Sequence, residues 1–166
     1  MRALALVVLV AACSHRAPPP PVLGSVADFR LTDQNGRAVT AADLAGKVWV
    51  ADLMFTRCPS ICPLLTEKLA RLDAPGARKV SFSVDPAYDT PPVLAAYAAA
   101  HHADWTFLTG ATGDVARGLK LGVDGTDHDT HFVLVDGERR VRGYYDSSDP
   151  DALARLGADA RALARP

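Results

Sequence analysis

Apolar positions along the chain fall into short continuous runs separated by stretches with helical spacing. Val48 to Phe55 is one such run and predicts a buried strand. Ahead of it, Phe29 to Lys47 reads as a short strand, a turn at Asn35-Gly36, a second strand and a helical turn around Ala41–Leu44. Behind it, Leu64, Leu65, Leu69 and Leu72 recur at helical spacing, predicting an amphipathic helix that ends near Pro75-Gly76. Lys79–Val84 predicts a second strand with Asp85-Pro86 at its C-terminal end. Asp89-Thr90-Pro91-Pro92 then caps a helix over Val93–His101, with proline in its first turn. Trp105–Gly110 is a short strand, and Asp114–Leu121 a helix that leads into a turn-rich loop, Gly122–Thr130. His131–Asp136 and Val141–Tyr145 form a hairpin across Gly137-Glu138, and a helix over 150–164 closes the chain. Strands alternating with helices and ending in a covered hairpin predict an α/β domain of three layers.

With 166 residues and 49% hydrophobic content, the chain can bury one proper core. A formal net charge of -1 gives no basic footprint, so nucleic acid is not expected as a partner. The N-terminus is a different kind of segment. Met1-Arg2 is followed by an apolar stretch to Ala12, too short to span a bilayer and shaped like a secretory signal. Val10-Ala11-Ala12-Cys13 resembles the lipobox of bacterial lipoproteins, in which the Cys becomes the lipid-bearing first residue. Residues 1–12 are therefore read as a signal peptide, 13–24 as a lipid-anchored tether rich in proline, and 25–166 as the working domain. The domain is expected to be monomeric and to face the periplasm from the cell membrane.

An anchored Cys13 leaves Cys58 and Cys62 as a pair in a compartment that permits disulfides. The segment Phe55-Thr56-Arg57-Cys58-Pro59-Ser60-Ile61-Cys62-Pro63 joins the central strand to a helix. Side chains four apart lie on one helical face, and a helix N-terminus favours thiolate. Thiolate is both a redox nucleophile and a soft metal ligand, so the pair can do disulfide chemistry, bind a soft metal, or both. A structural disulfide is the plainer reading, though two prolines and an arginine crowding the pair are more than an inert position needs.

The pieces now quoted carry a family resemblance. Phe29 to Lys47 resembles the entry hairpin of thioredoxin-like domains. The Cys58-Pro59-Ser60-Ile61-Cys62-Pro63 core resembles the Sco/SenC family, as do Val84-Asp85-Pro86, Asp89-Thr90-Pro91, Trp105–Gly110 and the closing His-x-x-x-Phe-Val-Leu-Val-Asp with Arg142–Tyr145. The resemblance implies a thioredoxin-like three-layer α/β fold with an N-terminal hairpin. It implies a copper ion, Cu(I) or Cu(II), held by Cys58, Cys62 and, four residues before Phe132, His128. His131 is the rival third ligand. It also implies an Asp near the metal, carried over to Asp85 in a supporting role. Asp127, Asp129, His101 and His102 are expected at the surface, and Trp49, Trp105, Tyr144 and Tyr145 in packing.

The function so implied is a copper chaperone that delivers copper to, or prepares the thiols of, the dinuclear copper site of cytochrome c oxidase. Its partner would be the copper-bearing oxidase subunit or another periplasmic copper protein. The alternative is a periplasmic thiol–disulfide oxidoreductase in which either Cys58 or Cys62 attacks and the other resolves. A copper-binding or copper-sensing lipoprotein is a third class.

Overall fold

A computed structural model of the protein describes residues 18–121 and 130–165. Eight strands form one sheet: β1 (Gly24–Ser25), β2 (Arg30–Asp33), β3 (Ala38–Thr40), β4 (Val48–Met54), β5 (Ala77–Ser83), β6 (Thr106–Thr109), β7 (His131–Val135) and β8 (Arg140–Asp146). Their spatial order is β1-β8-β7-β4-β5-β6-β2-β3. Four helices accompany them: α1 (Ile61–Arg71), α2 (Pro91–Ala100), α3 (Gly113–Leu119) and α4 (Pro150–Leu163). The expected α/β class and thioredoxin-like architecture are observed.

β4 is central because it can afford no polar face: all seven of its residues are buried. It pairs in parallel with β5, from Val48 opposite Ala77 to Met54 opposite Ser83, and antiparallel with β7. That full register starts β5 two residues earlier than its apolar run suggests. Alternation along β4 divides the core in two. Val48, Val50 and Met54 face one cluster with Leu65 and Leu69 of α1, Leu94 and Tyr97 of α2, and Leu156 of α4. Trp49, Ala51 and Leu53 face the other, with Val115 and Leu119 of α3, Leu31 of the N-terminal hairpin and Leu44 just after it. The sheet is thus the middle of three layers.

The N-terminal hairpin turns where Asn35-Gly36 predicts. The Asp33 carboxylate accepts from the Asn35 and Arg37 amides at 2.8 Å each, and Gly36 takes φ 77°. A short 3-10 turn, Ala41–Leu44, follows, with Thr40 and Asp43 in a reciprocal capping box.

The N-terminal segment departs from the simple tether expected over 13–24. Gly24 and Ser25 pair with Val141 and Arg140 of β8, and the Leu23 amide donates to the Val141 carbonyl at 2.8 Å. The inner end of that segment belongs to the sheet. Among the described residues no helix is long and apolar enough to cross a membrane.

Candidate dithiol metal centre

Parallel strands β4 and β5 end side by side, and the chain leaves each of them at the same end of the sheet. From β4 comes Phe55-Thr56-Arg57-Cys58, tightened by the Cys58 amide donating to the Phe55 carbonyl at 3.2 Å. From β5 comes Val84-Asp85-Pro86, with Asp89 just beyond. β7 runs antiparallel to β4, so its first residue, His131, starts at this end too.

Cys58 precedes α1 and Cys62 is the second residue of that helix. The Ser60 side chain makes no capping hydrogen bond. The Cys58 sulfur takes that place: the Cys62 amide donates to it at 3.3 Å. Burial opposes ionisation of Cys58, but the backbone N–H groups of Ser60, Cys62 and Ile61, with the Cys62 thiol, outweigh it and pull its pKa below the ordinary thiol value. These are the orphan donors of a helix N-terminus, put to use on a thiolate. Cys62 goes the opposite way, to about 12: burial dominates, and the neighbouring Cys58 and Asp52 charges add to it. Both cysteines stand as free thiols and both are buried. The pair is asymmetric: Cys58 gives up its proton more readily than an ordinary thiol and Cys62 less readily.

Beside Cys62 lies a group of buried polar side chains with no counterpart among the expected site residues. Thr66 Oγ1 donates to the Cys62 carbonyl at 2.9 Å and lies 3.0 Å from the Tyr97 hydroxyl. Asp52, on the β4 face that carries Val50 and Met54, is 1% exposed. Neither of its carboxylate oxygens has a hydrogen-bond partner among the described residues. Burial raises its pKa to about 6, with the Ser81 hydroxyl, opposite it on β5, acting in the other direction. A lone charged residue inside an otherwise apolar strand is the signal that could have found it.

The segment Asp89-Thr90-Pro91-Pro92 starts α2 as expected, with proline in the first turn. Asp89 is fully buried and makes no cap for α2, whose N-cap is Thr90. Its carboxylate instead reaches back 33 positions, accepting from the Thr56 amide at 3.1 Å, the Thr56 hydroxyl at 2.5 Å and the Ser83 hydroxyl at 2.6 Å. Asp89 therefore bolts the foot of the cysteine loop to β5 and the start of α2. Asp85 sits at the loop's rim. Arg57 Nη2 donates to Asp85 Oδ2 at 2.5 Å, and the guanidinium lies 4.3 Å over the Tyr88 ring. The Asp85 carboxylate is thus tied to the residue before Cys58.

Cys58 and Cys62 pack in the same cluster as Phe132 and Leu134 of β7. Val133 and Val135 belong to the opposite cluster. Strand alternation puts His131 on that opposite face, cross-strand from Asp146, whose carboxyl it helps to lower after the Ser148 hydrogen bonds. His128, Asp127, Asp129 and Cys13 lie outside the described residues. Among the described residues, no group of three or more His, Cys, Asp or Glu is placed to hold a metal ion. The two sulfurs themselves are a soft-ligand pair, which suits Cu(I).

A dithiol at the junction of a central strand and its helix, on this topology, defines a thioredoxin-like protein with a CxxxC site. The family model described as SCO1/SenC matches residues 23–161, and the chain belongs to that family. Among solved structures, a SCO1/SenC family lipoprotein from Bacillus anthracis is 30% identical, with a TM-score of 0.73, covering 89% of this chain and all of that one. BsSco, described as a member of the Sco family of cytochrome c oxidase assembly proteins with a disulfide switch, is 28% identical at a TM-score of 0.70, covering 85% of this chain and 96% of its own. Bradyrhizobium japonicum ScoI, solved with copper bound, is 27% identical at a TM-score of 0.65, covering 84% of this chain and 99% of its own.

Proposed function

We propose that this protein is a lipid-anchored copper chaperone of the cell envelope, carrying copper on Cys58, Cys62 and His128 to the dinuclear copper site of cytochrome c oxidase. The observation that carries the reading is the meeting of the two thiols at the N-terminus of α1, in a family with a copper-bound member. Cu(I) entering the site binds both sulfurs as thiolates, Cys58 being the more readily ionised of the two and Cys62 losing its proton as copper lowers its pKa. His128 supplies the imidazole that also accommodates Cu(II). The sheet face taken by His131 favours His128 over it. Asp85 holds Arg57 at the rim and so positions the loop rather than the ion. Transfer to the recipient is ligand exchange: partner thiolates replace Cys58 and Cys62 one at a time, and copper leaves without a change of oxidation state. Anchoring through Cys13 at the cell membrane, facing the periplasm, accords with the lipoprotein relative.

A second reading is favoured by the asymmetry of the pair. The Cys58 thiolate would attack a client disulfide, and Cys62 would resolve the mixed disulfide. The client is then reduced by two electrons as Cys58 and Cys62 become a disulfide.

Complementation of a deletion strain separates the two. Under the chaperone reading, Cys58→Ser, Cys62→Ser and His128→Ala each lower the copper content and activity of the oxidase, and added copper restores them. Under the thiol reading, His128→Ala is active and an added dithiol, not copper, rescues the cysteine variants. Full oxidase activity in all three variants would overturn the proposed function.

A further inference from the structure

Arg142 of β8 is 7% exposed and Asp136 is 4% exposed. Arg142 Nη1 donates to Asp136 Oδ2 at 2.7 Å, which pairs the buried charge. Its remaining donors go to the N-terminal segment: Nε donates to the Pro20 carbonyl at 2.9 Å and to the Pro21 carbonyl at 3.2 Å, and Nη2 donates to Pro20 as well. The Leu23 and Val26 amides donate to the Val141 and Arg139 carbonyls at 2.8 and 2.9 Å, and Lys120 Nζ donates to the Leu23 carbonyl at 3.1 Å. Residues 20–26 are therefore strapped along the edge of the sheet.

The register of the strap gives it a direction. Ser25 is opposite Arg140 and Gly24 opposite Val141, so falling residue number on the strap follows rising number on β8. β8 ends at Asp146, paired with His131, at the end of the sheet where β4 delivers Cys58. The strap thus leaves the domain towards the dithiol end. The exposed apolar side chains agree. Among the described residues, the large exposed hydrophobics are Val22, Leu23, Leu64, Val84 and Tyr88. Two lie on the strap, two follow the end of β5, and Leu64 is in the first turn of α1, beside the dithiol.

We propose that the Arg142 strap sets the orientation of the domain on its membrane, turning the Cys58/Cys62 end towards the lipid surface. The inference rests on the Cys13 anchor of the proposed function. Only four residues separate Cys13 from Pro18, so the five steps between them reach at most ~18 Å when fully extended. A leash that short, leaving from the dithiol end, keeps that end at the bilayer and leaves the β7–β8 turn pointing away. Copper sites or disulfides close to the bilayer surface are then the ones the dithiol can meet.

The test uses the full lipidated chain, with Cys58→Ser and Cys62→Ser, in phosphatidylcholine–phosphatidylglycerol vesicles bearing a headgroup nitroxide. A fluorophore is placed on Tyr88→Cys at the dithiol end or on Glu138→Cys in the β7–β8 turn. Quenching at position 88 is expected to exceed that at 138 several-fold. A long Gly/Ser insertion between Ala17 and Pro18 should bring the two together while leaving every strap contact in place. Arg142→Met should do the same, and the insertion carries the test if that variant does not fold. Equal quenching at the two positions in the uninserted chain, or stronger quenching at 138, overturns the proposal. The mass of the N-terminal residue and flotation with the vesicles report the anchor separately. An unmodified chain that fails to float overturns the anchor and the orientation together, whereas a floating chain with equal quenching overturns the orientation alone.

Discussion

Asp52 gives the sharpest test of the electrostatics behind the dithiol. Its carboxylate is buried in β4 without a hydrogen-bond partner among the described residues, and its pKa rises from an ordinary 3.8 to about 6. The folded state therefore penalises the ionised form. A rise of about two pH units corresponds to ~3 kcal/mol of instability once the group is ionised in both states. Asp52→Asn keeps the shape and removes the charge, so it should stabilise the reduced domain by about that amount at pH 8. The sign follows from the raised folded-state value: the penalty is absent below 3.8, grows between 3.8 and about 6, and is complete above. Urea unfolding of a soluble form beginning at Pro18, followed by tryptophan fluorescence from pH 3.5 to 8, would trace it. The wild-type and Asn curves should converge at the acid end. Loss of the Asp52 charge should also lower the Cys62 pKa, because that charge helps to raise it. Equal stabilities at pH 8, or a difference that does not change with pH, would refute the reasoning.

Asp89→Ala should cost about 3 kcal/mol in the same unfolding assay, since it strands the donors of half-buried Thr56 and buried Ser83, and Asp89→Asn should cost less by keeping one acceptor. Gly157→Ala would ordinarily help a helix by about 1 kcal/mol. Here it should destabilise, because a Cβ at that position of α4 would stand 2.4 Å from the Asp73 carbonyl oxygen; a raised Tm would contradict the packing described. Alkylation of the reduced protein followed by peptide mass spectrometry should label Cys58 at a pH below that of an ordinary thiol, and Cys62 only in strong alkali. Equal labelling of the two across pH would contradict the asymmetry of the pair.

The cysteine loop and its place in the fold were legible because each left a local mark. β4 is a run of apolar residues, and Cys58-Pro59-Ser60-Ile61-Cys62 lies between that run and a periodic helix. The residues that support the loop left weaker marks. Asp89 looks like a cap because Asp-Thr-Pro-Pro starts a helix, and only the parallel pairing of β4 with β5 brings it to Thr56. Asp52 is a single charge within an apolar strand, and its bearing on Cys62 depends on which face it takes. The faces also decide how His131 relates to the dithiol, and alternation alone cannot assign them without the register to β4. Pro18–Pro21 reads as a free tether because its partner, Arg142, is 122 positions from Pro20. A proline carbonyl bonded by a buried guanidinium has no signature in linear sequence.

The most direct measurement of the central claim is anaerobic copper titration of the reduced soluble protein beside Cys58→Ser, Cys62→Ser and His128→Ala. One tightly held copper per chain is expected, lost in both cysteine variants and weakened in His128→Ala while the thiols still cycle. No tight copper in the reduced wild type, or unchanged affinity on loss of either cysteine, would contradict it.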